Sequence, residues 1–524
     1  MLVHRRPHAL LALALTLAAT GCGDMGDFSG KSPSGAYLAD EGSAAPGDKY
    51  EAVGHNPFVT TAHDPFSTFA TDVDTASYDI FRRDLALYGR LPDPASVRTE
   101  EYVNAFGYDY PAPAPGAAQP FTLSLDAARA PFDATVLLRV GLRARALDPA
   151  TRPQANLVFL VDVSGSMAAS NKLPLVQRVL RELVTTLRPT DRIAIVTYAS
   201  GERTLLESTP VSERDAILAV ISGLDAGGST AGHAGLARAY REAEAAYLEG
   251  GVNHVILCTD GDFNVGISST DALVAFISDK RDSGVTLTAL GFGEGNLNDA
   301  MMERVTNAGN GSYAVITDED HAVHYAHADL WRTIFLVARD TKVQVVFNPD
   351  RVAAYRQIGY ENRALADQDF SDDAVDAGEV GAGHTVTALF ELVLADGAIP
   401  APAGAPALDD GAAWSGEAVA LDAATLAEVR LRFKGPDPHD PAPAAELRAS
   451  LAADAVHAEL AAASADTRFA VAVAGLAEHL KASPFAARYP LGDVAADLAE
   501  AAGDAADRLE LVALLDEAWA LFGE

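Results

Sequence analysis

Cysteine and basic residues are both scarce in this sequence. The 524 residues contain two cysteines, Cys22 and Cys258, which allow at most one intrachain disulfide and none if either is modified. Lys and Arg number 39 against 73 Asp and Glu, giving a formal net charge of -34. A chain this acidic repels phosphate backbones, so we expect no nucleic acid partner. The length of the chain suggests two or three folded units, and a hydrophobic fraction of 49% indicates that most of the chain can fold.

Long apolar runs are also few, and the candidate for a signal peptide or membrane-spanning segment lies at the N-terminus in "MLVHRRPHALLALALTLAATGC". Two arginines precede an apolar core that is too short for a mature spanning helix. The segment "AATGC" resembles a bacterial lipobox, which predicts a signal peptide over 1–22 and lipidation of Cys22; a plain secretory signal is the alternative. Because Gly23 rather than Asp follows Cys22, we expect a cell-envelope protein held by lipid in the outer membrane, facing the periplasm or the cell surface.

Composition and patterning divide the rest of the chain into segments. The predicted segments are a flexible tether (23–65), an N-terminal region with helices at about 76–88 and 99–106 (66–113), flanking β-strands (120–150), an α/β domain (155–335), further β-strands (336–435) and a C-terminal helical region (441–524). In the first flanking strand, Val136, Leu138, Val140 and Leu142 share one face, which predicts a half-buried strand.

The α/β domain shows strands that alternate with helices. "NLVFLVDV" is a continuous apolar run of the kind buried on both faces of a sheet, and an amphipathic helix follows it. This pattern predicts an α/β, doubly wound, mostly parallel sheet. The alternating strands on either side of it predict an antiparallel β unit into which the α/β domain is inserted, with helical parts at the N-terminal and C-terminal ends.

Polar oxygen donors follow the strands of this domain. Asp162, Ser164 and Ser166 come just past the first strand, Thr230 precedes a helix, and Asp260 ends another strand. Ligands bind at the carboxyl ends of strands in open parallel sheets, so these loops could converge. Two carboxylates and three hydroxyls suit Mg²⁺, Mn²⁺ or Ca²⁺ and suit zinc poorly. The sequence therefore predicts a metal site at these five residues.

Other sites fit this region less well. A nucleophilic serine would need G-x-S-x-G, which the surroundings of Ser164 do not provide, and no G-x-x-x-x-G-K-[ST] follows a strand. "GFGEGN" (291–296) lacks the full dinucleotide spacing and is interpreted as a tight strand-to-helix turn. Asp262 could orient the metal loop or cap the next turn. Cys258 lies in an apolar strand and is expected to be a buried, unreactive thiol.

Two further motifs are interpreted structurally. Asp72 and Asp74 in "DVDTAS" resemble a phosphoryl-transfer loop, but a helix cap is the preferred interpretation. His321, His324 and His327 recur every three residues, and we interpret them as an exposed polar helix face rather than a transition-metal site.

The set Asp162-x-Ser164-x-Ser166, Thr230, Asp260-Gly resembles the metal-ion-dependent adhesion site of von Willebrand factor type A domains. In that family the hydroxyls contact the ion, and the aspartates bind it directly or through water. Segments such as "FSTFATDVDTASYDIFRRDL" and "GFGEGNLNDAMMERVTNAGNGSY" are similar to the YfbK-type bacterial lipoproteins. This resemblance implies a type A domain between family-specific N-terminal and C-terminal regions.

The resemblance implies metal-dependent protein binding, in adhesion or as an assembly scaffold. A Mg²⁺ ion (or Mn²⁺ or Ca²⁺) would accept a carboxylate from an acidic residue of a protein partner. We expect no enzymatic activity and no small-molecule substrate. The alternatives are a structural envelope protein with an incidental ion, and a metal-assisted hydrolase, which would need a general base; His233 is the nearest histidine in sequence to the three loops.

Overall fold

The computed structural model describes residues 47–114, 116–148, 150–228, 232–261, 270–416, 419–437 and 439–523. The predicted signal peptide, Cys22 and the first part of the tether lie outside the described residues. The predicted positions Thr230 and Asp262 lie outside them as well. Within the described ranges, no helix has the length and apolar character needed to cross a membrane.

The secondary structure alternates between strand-rich and helix-rich segments. The strands are β1 (Val59–Thr60), β2 (Phe66–Ala70), β3 (Phe121–Arg129), β4 (Val136–Ala144), β5 (Ala155–Asp162), β6 (Arg192–Tyr198), β7 (Glu202–Pro210), β8 (Val252–Thr259), β9 (Thr286–Phe292), β10 (Tyr313–Ile316), β11 (Leu336–Phe347), β12 (Val352–Ile358), β13 (Gly378–Gly381), β14 (Thr385–Leu394), β15 (Thr425–Lys434) and β16 (Ala445–Ala452). The α-helices are α1 (Ala76–Tyr88), α2 (Thr99–Asn104), α3 (Leu173–Thr186), α4 (Arg214–Ser222), α5 (Gly232–Ala245), α6 (Thr270–Asp282), α7 (Asp299–Ala308), α8 (Glu319–His324), α9 (Leu330–Ile334), α10 (Ala465–Leu480), α11 (Leu491–Ala501) and α12 (Ala506–Ala518).

The α/β domain is built on a sheet with the strand order β10-β9-β8-β5-β6-β7. All neighbours are parallel except β7, which forms an antiparallel hairpin with β6. Separate apolar cores lie on the two faces, one with α3 and the other with α5, α6 and α7. The predicted doubly wound, mostly parallel sheet is confirmed. Strand β7 was not predicted, because much of it is exposed and it has no continuous apolar run.

The strands before and after this domain pair with each other. β4 pairs antiparallel with β14, and β2 pairs antiparallel with β11. The two resulting sheets, ordered β1-β12-β14-β4-β3 and β13-β11-β15-β16, share an apolar core that contains Phe69, Phe347 and Phe390. These pairings confirm that the α/β domain is inserted in an antiparallel β unit.

Helices cover the outer face of that β unit. α2 and α10–α12 form a core with Tyr78 and Phe81 of α1, and this core also contacts Leu137 on β4. As a result β4 is buried on both faces and even Arg139 is 3% exposed, so the prediction of a half-buried strand is wrong. Strand β16 lies at the start of the region predicted to be helical, 441–524.

Helix α1 joins two cores. Its Ala76 and Ile80 pack into the core on one face of the α/β sheet, whereas Tyr78 and Phe81 pack among the C-terminal helices. This follows from the helical period, which places residues two apart on different faces. The α/β domain therefore completes its core with a helix from the N-terminal region.

Residues 47–65, predicted to belong to a flexible tether, are packed against the fold. β1 pairs with β12, and the side chain of Asp48 is fully buried. Richness in Gly, Ser, Asp and Ala predicted flexibility for the tether as a whole. Residues 47–65 are instead held at both ends: Asp48 and the Lys49 backbone bind the α/β domain, and Phe58 packs in an apolar cluster with Phe485.

Candidate metal site

Strand β5 and the loop that follows it place Asp162, Ser164 and Ser166 at the carboxyl edge of the sheet. β5 lies between β6 and β8, every one of its residues is buried, and Asp162 ends it. The Asp162 carboxylate accepts a hydrogen bond from the Ser164 backbone N–H at Oδ1, 2.8 Å away. The Ser164 and Ser166 hydroxyl oxygens are 2.9 Å apart. Asp162 and Ser164 are buried and Ser166 is exposed, so the site opens to the surface on the Ser166 side.

Asp260 follows the adjacent strand β8 and is also fully buried. Its Oδ2 accepts hydrogen bonds from Lys172 Nζ at 2.8 Å and from Asn296 Nδ2 at 3.4 Å. Burial raises the pKa of Asp260, but hydrogen bonds from Lys172 and Ser166 outweigh burial and hold that pKa below its ordinary value. The contact with Ser166 places Asp260 beside the first loop, so Asp162, Ser164, Ser166 and Asp260 converge as predicted.

The two carboxylates have opposite electrostatic environments. Burial raises the pKa of Asp162 to about 6, against the hydrogen bond from the Ser164 N–H, and the nearby charge of Asp260 acts in the same direction as burial. Asp260 has Lys172 as a direct cationic partner. The negative charge of Asp162 is therefore the less compensated of the two.

The described part of the loop before Thr230, up to Gly228, is hydrogen-bonded to the loop that carries Ser164 and Ser166. Gly227 donates its N–H to the Val163 carbonyl at 2.7 Å, and the Gly228 carbonyl accepts from the Gly165 N–H at 3.1 Å. These bonds bring the described end of the loop to the site.

Lys172 and Asn296 were not predicted to be part of this site. Lys172 directly precedes α3, and Asn296 belongs to the "GFGEGN" turn after β9. That turn is a tight strand-to-helix connection, as predicted, and it also borders Asp260. The signal that could have identified it is its position after a parallel strand, whose carboxyl end lies at the same edge of the sheet.

The donor set fits a hard divalent cation. Asp162 Oδ2 is buried and has no hydrogen-bond partner among the described residues. A buried carboxylate oxygen without a partner is costly, and it is explained if that oxygen serves as a ligand. Carboxylate and hydroxyl oxygens are the ligands that Mg²⁺, Mn²⁺ and Ca²⁺ prefer.

The other predicted motifs have separate partners. The preferred interpretation of Asp72 and Asp74 as a helix cap is wrong: the side-chain acceptor at the start of α1 is Glu101, which bonds the Ser77 N–H, and both aspartates pair with Arg363. Burial raises the pKa of the Cys258 thiol, as expected of an unreactive cysteine.

The three histidines do not form a common site. Each lies nearest to a different carboxylate: His321 to Asp79 at 3.7 Å, His324 to Asp329 at 3.4 Å and His327 to Glu182 at 3.1 Å. His321 is buried, whereas His324 and His327 are exposed, so the predicted exposed face includes only these two.

Comparison with known proteins agrees with this architecture. Residues 156–327 match the von Willebrand factor type A domain, and residues 44–139 match a family model described as von Willebrand factor. Residues 332–521 match the model described as "Uncharacterized protein YfbK, C-terminal". The chain is a type A domain protein of the YfbK family. The type A domain is a fold typically used for protein binding.

Members of the YfbK family and other type A domain proteins are similar over different lengths. "Uncharacterized protein YfbK" of Escherichia coli (strain K12) is 42% identical over 367 residues, which are 68% of this chain and 62% of that protein. "Uncharacterized protein sll0103" of Synechocystis sp. is 30% identical over 187 residues, 36% of this chain and 43% of that protein. A solved structure, "von Willebrand factor type A from Catenulispora acidiphila", aligns at 18% identity and TM-score 0.42, covering 79% of this chain and 91% of that one.

Proposed function

We propose that the type A domain binds a protein partner through a divalent cation, Mg²⁺, Mn²⁺ or Ca²⁺. The residues that would hold the cation are Asp162, Ser164, Ser166 and Asp260, with Thr230 from the third loop. The observation that carries this proposal is the buried Oδ2 of Asp162, which has no hydrogen-bond partner among the described residues and lies at the end of the loop that carries the two serine hydroxyls.

The charges of these residues favour recognition of an acidic partner. Ser164 and Ser166 are neutral donors, and the charge of Asp260 is balanced by Lys172 at 2.8 Å. The site thus supplies less negative charge than a divalent cation carries. When bound, the cation would supply the remaining positive charge and an open coordination position for a partner carboxylate.

The same contacts favour binding over catalysis. Among the described residues, the Ser164 hydroxyl hydrogen-bonds to the Ser166 hydroxyl and to no histidine, so no described residue activates it as a nucleophilic serine requires. We propose a role in adhesion or as an assembly scaffold of the cell envelope. Lipidation at Cys22, which would anchor the protein to the outer membrane, belongs to the same proposal.

The first experiment tests the cation. Calorimetric titration of the purified full chain with Mn²⁺ and Mg²⁺ should show one saturable site, and Asp162→Asn should abolish it. Asp215→Asn is the matched control, because it removes the same charge from an exposed position on α4. Equal binding in all three proteins would contradict the assignment.

The second experiment tests the partner. Immobilised full chain should retain an envelope protein in Mg²⁺ and release it in chelator, and Asp162→Ala should retain nothing while its circular dichroism spectrum is unchanged. Capture that persists in chelator would contradict a metal-dependent function.

A further inference from the structure

The N-terminal segment 47–50 is bound to the β9–α7 loop (residues 293–298). The Asp48 carboxylate accepts two backbone N–H groups at Oδ1, from Gly295 at 2.7 Å and Leu297 at 2.9 Å. The backbone of the segment also pairs with the loop, since the Lys49 N–H donates to the Leu297 carbonyl at 2.7 Å. These bonds restrain the loop from its outer side.

Asp48 is in turn held by the N-terminal region. Its Oδ2 accepts from Arg83 at 3.1 Å and from the Tyr50 hydroxyl at 3.2 Å, and its side chain is fully buried. Gly47 has a φ of +110°, and a Cβ there would lie 1.9 Å from the Gly295 carbonyl oxygen. The segment therefore approaches the loop as closely as glycine permits.

The inner side of the β9–α7 loop faces Asp260. Asn296 donates to the Asp260 carboxylate, and a Cβ on Gly261 would lie 2.4 Å from the Leu297 Cα. Gly261 adopts a φ of +96°, so both its conformation and its packing require glycine. The loop and the end of β8 are thus in direct backbone contact.

The loop also positions Lys172. The Lys172 side chain crosses Gly293, where a Cβ would lie 2.4 Å from the lysine Cε, and it ends 2.8 Å from Asp260 Oδ2. Arg83, which binds Asp48, also donates to the Gly293 carbonyl at 3.1 Å. The same arginine therefore ties both the segment and the loop in place.

We infer that Lys172 is an internal counter-cation, which competes with the divalent cation for Asp260, and that segment 47–50 keeps it in place through Asp48 and the β9–α7 loop. This inference rests on the proposed metal site. Two cations beside one carboxylate repel each other, and partial burial strengthens the repulsion. Removing the ammonium group should therefore tighten cation binding, and releasing the loop should do so more weakly.

The arrangement would make the affinity of the site adjustable. Segment 47–50 lies within the predicted tether (23–65), on the C-terminal side of the predicted lipidation site Cys22, so a force or a partner acting on the tether before it would act on Asp48 first. Detachment of the segment would free the loop and let Lys172 leave Asp260. The site would then bind the cation, and through it the partner, more tightly.

A double-mutant cycle on the full chain, read out by Mn²⁺ titration calorimetry, tests this inference. Lys172→Met should tighten Mn²⁺ binding about tenfold or more, whereas Arg214→Met, which removes the same charge from an exposed side chain on α4, should not. Asp48→Ala should tighten binding by a smaller factor, and that gain should vanish in the Lys172→Met background. If Asp48→Ala does not fold, Gly47→Ala detaches the segment by its Cβ alone.

The outcomes separate this inference from the proposed function. Unchanged or weaker binding in Lys172→Met, with the wild type saturable, overturns the counter-cation and leaves the metal site standing. An equal effect of Asp48→Ala in both backgrounds overturns the role of the segment. Absence of Mn²⁺ binding in the wild type and in Lys172→Met overturns the metal site and this inference together. Structural damage alone would weaken binding, so a gain in affinity is the distinguishing result.

Discussion

His321 Nε2 lies 3.7 Å from Asp79 Oδ1, across the contact between α1 of the N-terminal region and α8 of the type A domain. Burial raises the pKa of Asp79 to about 7, against a hydrogen bond from the Val315 N–H, and burial lowers the pKa of His321 to about 4, with Arg82 adding to the effect. Between these values both side chains are neutral. The contact is therefore uncharged at mildly acidic pH, and Asp79 becomes charged as the pH rises.

We predict that Asp79→Asn changes how stability depends on pH. The raised pKa of Asp79 means that the folded state holds a proton that the unfolded state loses between about pH 4 and 7. The contribution of Asp79 to wild-type stability therefore falls over that range, by on the order of 4 kcal/mol. Asp79→Asn should remove this loss, so its advantage over wild type should grow from pH 5 to pH 8 in urea unfolding. The exposed Asp320→Asn is the control, and an equal difference at both pH values would contradict the prediction.

We predict the opposite pH dependence for His321. Because its pKa is lowered in the fold, the unfolded state binds a proton that the folded state refuses between about pH 6.5 and 4. This contribution is present above pH 6.5 and is lost as the pH falls, by on the order of 3 kcal/mol. His321→Gln should reduce the acid destabilisation measured by urea unfolding at pH 4.5 and 7. The exposed His324→Gln should not, and identical acid sensitivity of the two variants would refute the assignment.

The fold was predictable where burial is continuous. All residues of β5 are buried on both faces, so the apolar run identified the strand and its parallel neighbours. Strand β7 escaped prediction because exposed residues interrupt it. The buried face of β4 also escaped prediction. On that face Arg139 contacts Thr467 of α10 and the Tyr110 ring, and a single sequence does not indicate which distant segment will cover a strand.

The site was predictable to the extent that its chemistry is local. Asp162, Ser164 and Ser166 are two residues apart, and their spacing is itself the signal. Lys172 is 88 residues from Asp260, and Asp48 is 247 residues from Gly295. Contacts over such separations depend on the packing of loops that share no sequence pattern. Segment 47–50 lies in a stretch rich in Gly, Ser, Asp and Ala, and this composition indicated flexibility because the contacts that order the segment are distant in sequence.

We predict that Arg363→Met destabilises the junction of the N-terminal region, the type A domain and the β unit. Arg363 binds Asp72 at 2.9 Å, Asp74 at 3.2 Å and Asn307 at 2.8 Å. Its loss leaves two buried carboxylates without a cation, which costs about 3–5 kcal/mol. Thermal unfolding should show a large loss, partly recovered by adding Asp74→Asn.

The control for this junction is Arg304→Met, because Arg304 has a side chain that is 53% exposed and an ion pair with an exposed aspartate. Such a surface pair contributes about 0–1 kcal/mol. Equal losses in Arg363→Met and Arg304→Met, or no recovery by Asp74→Asn, would show that the buried network does not stabilise the junction.

We predict that Asp162→Asn is more stable than wild type without a metal ion but no longer binds Mn²⁺. The variant keeps an acceptor for the Ser164 N–H and removes a buried charge beside Asp260. In chelator its free energy of unfolding should therefore exceed that of wild type by about 1–2 kcal/mol. With Mn²⁺ at 100 times its dissociation constant, wild type should gain about 2.7 kcal/mol and the variant nothing. Asp215→Asn should follow wild type in both conditions, and a variant that still gains from Mn²⁺ would rule Asp162 out as a ligand.

We predict that Gly261→Ala damages the site through a backbone collision. A Cβ there would lie 2.4 Å from Leu297 Cα and 2.6 Å from the Asn296 carbonyl oxygen, at a φ of +96°. The matched control is Gly250→Ala, at a φ of +69° with open space around its Cβ, on the chain that leads into β8. Both substitutions require a left-handed backbone, which costs about 1–2 kcal/mol, but Gly261→Ala must also shift the backbone next to the proposed ligand Asp260 away from Leu297. It should therefore lose about 1–3 kcal/mol more in thermal unfolding and weaken Mn²⁺ binding, whereas Gly250→Ala should bind Mn²⁺ like wild type. Equal stability and equal Mn²⁺ affinity in the two variants would mean that contact between Gly261 and the β9–α7 loop does not shape the site.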